Sequence, residues 1–171
     1  MSQELSREWI KLKVSTQASI SKHFAAAPVP VGKIATDLGL LVKVSTLAPG
    51  ISGEIGRGMN GATPTFIIRV SKHEAKERQR FTIAHEIAHA LLHSHLIKDS
   101  LSDDVLYRSS LSNSLEAEAN RLAADIVMPW VLIHKWMEQF PNDSISLHQE
   151  ALAKYLQVSK VAIEIRLGKN G

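Results

Sequence analysis

Four of the eight histidines in this 171-residue chain, His85, His89, His93 and His95, fall within eleven residues. Imidazole binds transition metals and exchanges protons near neutral pH, so a cluster of this kind is a candidate site. Two members form His85-Glu86-x-x-His89. Residues four apart on a helix lie one turn apart on the same face, so both rings can reach one ion. Glu86 is turned about 100° from His85. It can stand beside a metal without ligating it, where a general base for an attacking water belongs. With eight histidines in the chain, the bare pattern arises by chance about once in fifty such sequences. A satisfied pair of core histidines is the competing reading, so the motif needs support from its surroundings.

Packing gives the first support. Ile83, Ala84, Ile87, Ala88, Leu91 and Leu92 form a wide apolar face, which makes this a core helix. Histidines at the edge of such a face are half-desolvated, at a cost unless something binds them. A catalytic zinc takes three protein ligands and keeps a fourth position open. His95 has the spacing of HExxHxxGxxH, but Leu92 stands where a glycine would let the chain turn. His93 continues the same helix, and three successive turns span about 12 Å, too far for one ion. A carboxylate from another helix remains, and Glu116-Ala117-Glu118-Ala119-Asn120 offers two. Glu116 and Asn120 share a face, so an Asn120 amide could fix a histidine ligand from behind. Glu118 points about 160° away from Glu116. Spacing favours Glu116 without deciding between them, and acids at a helix start are common without a metal.

The elements that position these residues follow from periodicity. Residues 5–24 carry Leu5, Trp9, Leu12, Ile20 and Phe24 at helical spacing, and AAAPVP (25–30) ends that helix. Val31 to Leu38 reads as a short helix closed by Gly39. LLVKVS (40–45) and PTFIIRV (64–70) read as strands. GISGEIGRGMNG (50–61) reads as two short strands with a turn over Gly58 to Gly61. Together they predict a small three-stranded antiparallel or mixed sheet. Further helices are expected from Glu74 to about His95, Leu115–Val127, Trp130–Gln139, 147–156 and 160–167, with a polar loop over 98–114. Ser146-x-x-Gln149 is a candidate capping box for the first of the last two. The order of helix, sheet, then helices is α+β. Three segments are expected: 1–30 as an N-terminal helix and linker, 31–145 as the core, and 146–171 as a helical pair with helix-turn-helix spacing packed on it.

Composition narrows the function. No run of about 18 apolar residues exists to span a membrane, and the N-terminus lacks a secretory pattern. The absence of cysteine excludes disulfides, thiolate zinc sites, iron–sulfur clusters and cysteine nucleophiles. Together these features predict a cytoplasmic protein. Twenty Lys+Arg against seventeen Asp+Glu leave a net charge of +3, too mild and scattered to argue for nucleic acid. The last helix carries Lys160, Glu164, Arg166 and Lys169, a mixed set without base-reading Asn or Gln. Direct nucleic-acid binding is therefore not expected.

RFTIAHEIAHALLH, followed after a loop by EAEANRLAADIVMP, resembles the ImmA/IrrE family of metallo-endopeptidases. That family's pattern is RFTxAHExxHxxLH and then ExxANxFAxxLLMP. GISGEIG, FIIRV and ALAKYLQVSKVAIEIRL extend the resemblance to about residues 30–170. It implies a helical zincin core of gluzincin type, with Zn2+ held by His85, His89 and Glu116 and with Glu86 as acid/base. Asn120 would support a ligand from behind, and Tyr107 and His134 are candidate oxyanion donors. Leu122 replaces the family's usual phenylalanine, and Ala88 stands where glycine is common. The resemblance also implies a protein substrate, a neighbouring helix-turn-helix transcriptional repressor, in a stress-response or toxin–antitoxin setting. The alternative is a non-cleaving protein that docks a repressor or antitoxin through the same fold. Phe66–Val70 is expected either as the sheet edge beside which a substrate lies or as an interior strand.

Overall fold

A computed structural model of the chain describes residues 5–97 and 112–168. In chain order its elements are α1 (Arg7–Lys11), α2 (Val14–Ser21), α3 (Val31–Asp37), β1 (Leu41–Ser45), β2 (Gly53–Asn60) and β3 (Thr63–Ser71). There follow α4 (Lys76–Leu92), α5 (Asn113–Val127), α6 (Trp130–Met137), α7 (Gln149–Leu156) and α8 (Lys160–Arg166). The class is α+β with a mixed sheet. β3 lies at its centre, parallel to β1 (Val44 opposite Val70) and antiparallel to β2 (Asn60 opposite Thr63).

The glycine-rich stretch corrects one expectation. It is one continuous strand, β2, and the chain reverses at Gly61-Ala62. Gly61 has φ 60 and is the first residue of a two-residue loop, the position where a type II′ turn takes glycine. Gly53 serves a different purpose. A Cβ there would lie 2.3 Å from Thr82 Cγ2 and 3.0 Å from the Arg69 carbonyl oxygen. Its bare backbone lets β2 lie close against α4. For Phe66–Val70 the structure selects the interior of the two alternatives: Ile67–Val70 pair with β1 and β2, and Phe66 with β2.

α4 lies across β2 and β3, and α5 packs on α4. The helices meet through small residues, with Ala84, Ala88, Ala119 and Ala123 all buried. Small contact residues let helix axes approach closely, so polar side chains at the seam's end can touch across it. Ile68 and Val70 from the sheet join Ile87, Leu122, Ile126, Leu132 and Leu152 in one continuous core.

Elsewhere the helix ends shift. The expected N-terminal helix divides in two, because Leu12 and Lys13 are extended (ψ 146 and 143). The break lets Trp9 and Ile20 both enter the core, and the Gln17 amide donates to the Trp9 carbonyl at 2.8 Å. Gly39 closes α3 as expected, with φ 77 and the Leu40 N–H donating to the Ala35 carbonyl. α4 stops at Leu92, short of His95, and Ser94–Leu96 form one 3-10 turn. Ser146 does not cap α7. It sits in a 3-10 turn, Ile145–His148, with its hydroxyl 2.7 Å from that of Ser144. Gln157, at φ 52, turns the chain into α8, which Ser159 caps.

α5 also anchors both ends of the described chain. The Ser6 N–H donates to the Asp125 carboxylate at 2.9 Å, and Arg166 of α8 meets the same carboxylate at 2.8 Å. Arg121 grips buried Glu8 with two donors, at 3.0 and 2.8 Å. Arg166 also covers the Trp130 ring at 4.8 Å. Among the described residues no helix is long and apolar enough to cross a membrane.

Candidate metal centre

α4 and α5 bring three side chains to one point. His85 Nε2 and His89 Nε2 lie 3.0 Å apart. The two carboxylate oxygens of Glu116 divide between them, at 3.2 Å from His85 and 3.3 Å from His89. Small divalent cations bind such donors at about 2.0–2.2 Å, which places tetrahedral ligand atoms about 3.3 Å apart. The donor set and its spacing therefore fit a metal ion. Among the described residues, His85, His89 and Glu116 are the group with ligand atoms close enough to hold one.

The outer ring nitrogens orient the inner ones. His85 Nδ1–H donates to Asn120 Oδ1 at 2.9 Å, one turn beyond Glu116, which leaves the Nε2 lone pair facing inward. His89 Nδ1 meets His93 Nδ1 at 3.0 Å, and His93 Nε2 meets the Glu118 carboxylate at 3.2 Å. Burial is the main cause holding the His89 pKa down at about 4, reinforced by the neighbouring His85 and opposed by Glu116. His89 is thus neutral at physiological pH, the form that ligates. Glu86 is 1% exposed on α4 beside His85.

The structure thus brings His85, His89, Glu116 and Asn120 together. His134 lies on α6, in the first turns after Pro129. That ring stacks on Trp130, with centroids 5.8 Å apart on α6. Tyr107 lies outside the described residues. Sequence reasoning gave no role to His93 or Glu118 beyond that of rival ligands, although one turn of helix from His89 to His93 was already a signal.

The sequence matches the Peptidase M78 family, the IrrE N-terminal-like domain, over residues 42–168. The chain belongs to this family. Among Peptidase M78 relatives, the radiation response metalloprotease IrrE of Deinococcus radiodurans is 38% identical over 95 residues, 54% of this chain and 28% of that protein. The radiation response metalloprotease IrrE of Deinococcus deserti is 30% identical over 135 residues, 67% of this chain and 47% of that one. The chain spans less than half the length of either relative. Among solved structures, a Mycobacterium tuberculosis transcriptional regulator shares the fold over 89% of this chain and 45% of its own, with TM-score 0.55 and 18% identity. The Peptidase M78 match covers all of α4 and α5, so every residue of the metal centre lies within it.

Proposed function

We propose that this chain is a zinc-dependent endopeptidase acting on a protein substrate, with His85, His89 and Glu116 as ligands and Glu86 as acid/base. The observation that carries the reading is the convergence of the two Nε2 atoms, 3.0 Å apart, on the Glu116 carboxylate, whose oxygens lie 3.2 and 3.3 Å from them. When bound, zinc supplies Lewis-acid chemistry, polarising a carbonyl and lowering the pKa of water toward about 7. Glu86 takes a proton from the attacking water on its carboxylate and later delivers it to the leaving amine nitrogen. Asn120 keeps His85 in the ligating tautomer throughout.

The peptide would lie along β2. Among the described residues no strand pairs with the outer edge of β2, which packs on α4. An extended chain adding to that edge gains backbone hydrogen bonds that tolerate many sequences, so specificity falls to side-chain pockets and docking. Arg57 of β2 donates to the Ile97 and Ser94 carbonyls at 2.9 and 3.0 Å, tying this edge to the segment after α4. The resemblance to ImmA/IrrE peptidases supports a cytoplasmic helix-turn-helix repressor as the substrate and the α7–α8 pair as part of a zincin-type body.

The test incubates zinc-loaded protein with the repressor encoded beside it. Wild type should cut the repressor, and Glu86→Gln should retain zinc while losing about 10²–10⁴-fold in cleavage rate. Equal cleavage by both would remove Glu86 from the chemistry. A stable complex with both chains at full length would favour a docking protein instead.

A further inference from the structure

We propose that His93 and Glu118 are positioning residues for His89, forming an imidazole–carboxylate relay that fixes which ring nitrogen His89 presents to the metal centre. The inference rests on the metal-centre reading above. It concerns two residues that reading leaves without a role.

The donor inventory gives the relay one direction. Glu118, as a carboxylate, can only accept, so the His93 Nε2 at 3.2 Å carries the hydrogen. One hydrogen fits between the two Nδ1 atoms at 3.0 Å, and with a metal on His89 Nε2 it is His89 that carries it and His93 that accepts. His89 is left with its lone pair on Nε2, the nitrogen beside His85 Nε2 and Glu116. This order of donors and acceptors is the one that leaves the His89 Nε2 lone pair for a metal. The ring is also held in place, because its two ends are fixed from opposite sides.

Local structure explains how this relay fits. His93 is the residue at which α4 ends, with φ −127 and ψ 23. It is 4% exposed, with its ring centroid 5.2 Å from that of His89. Glu118 points away from Glu116 around α5, yet His93 lies beyond the ligands along α4, within its reach. The two glutamates therefore serve one cluster from two positions. Glu116 meets the inner nitrogens and Glu118 the outermost one. His85 has a simpler support in the neutral Asn120 amide. The His89 branch thus ends on a carboxylate where the His85 branch ends on an amide.

The experiment titrates zinc into the full chain in competition with a chromophoric chelator, and repeats it with cobalt to read the ligand-field spectrum. His93→Phe should raise the zinc Kd about 10- to 100-fold and shift the cobalt bands. His93→Asn, whose amide oxygen can stand where Nδ1 stood, should recover most of that loss. Glu118→Ala alters a partly exposed side chain, so folding is not at issue. It should raise the Kd roughly three- to tenfold while the metal-free melting temperature stays within about 2 °C of wild type. Unchanged affinity in both His93→Phe and Glu118→Ala would overturn the relay and leave the metal centre standing. Equal losses in His93→Phe and His93→Asn, with Glu118→Ala at wild-type affinity, would also overturn it, as packing alone. Failure of wild type to bind zinc would instead overturn the metal-centre reading itself.

Discussion

α5 carries two polar clusters of opposite design. Toward its C-terminal half, Arg121 pairs with Glu8, and Asp125 with Arg166 and the Ser6 N–H. Each charge there has an opposite charge within the fold. One turn nearer its N-terminus, Glu116 faces two imidazole nitrogens that also face each other at 3.0 Å. Two imidazole nitrogens and a carboxylate converging on one point form a group that could hold a cation. Buried polar groups therefore divide by whether their complement lies inside the chain. The first cluster holds the fold together, and the second is the one that a metal ion would complete.

This contrast can be broken by substitution. Asp125→Ala should cost the most stability, about 3 kcal/mol, because it leaves the buried Arg166 guanidinium without its counter-charge. Denaturant unfolding would measure it, and zinc affinity should not change. Glu8→Gln should cost about 1–2 kcal/mol, since Arg121 is 40% exposed and can turn to water. This pair also has a pH signature. Hydrogen bonds from Arg121 hold the Glu8 pKa below its ordinary 4.5. Its contribution is therefore complete above that value and is lost as pH falls through the lowered folded value. Wild type should lose stability below about pH 4.5 more steeply than Glu8→Gln. The smallest change belongs to the other cluster: Glu116→Ala in metal-free protein should shift stability by less than about 0.5 kcal/mol.

The two regions also differed in how legible they were. His85 and His89 were readable because a helix converts a spacing of four into a shared face, and that rule needs no tertiary information. Spacing favoured Glu116 over Glu118 without deciding, and the family resemblance implied Glu116; what the α4–α5 packing adds is the contact of Glu116 with both ring nitrogens. The relay was hidden for a related reason. His93 looked like another rung of a straight helix, whereas the helix ends there and its ring is held between His89 and Glu118. In the sheet, the five glycines of residues 50–61 imitated turns, although Gly53 is there for its close approach to Thr82. The central place of β3 was equally out of reach, since an apolar strand reads alike at an edge or in the interior. Asp125 and Arg166 gave no signal either, because forty residues separate partners that only the fold joins.

The central claim is that Glu116, and not Glu118, completes a metal centre with His85 and His89. It is tested most directly by the zinc content of purified protein, for wild type, Glu116→Ala and Glu118→Ala. Wild type and Glu118→Ala should each carry about one zinc per chain, with Glu116→Ala carrying little or none. Loss of zinc from Glu118→Ala alone would contradict the ligand assignment. Absence of zinc from all three after reconstitution would contradict the metal centre.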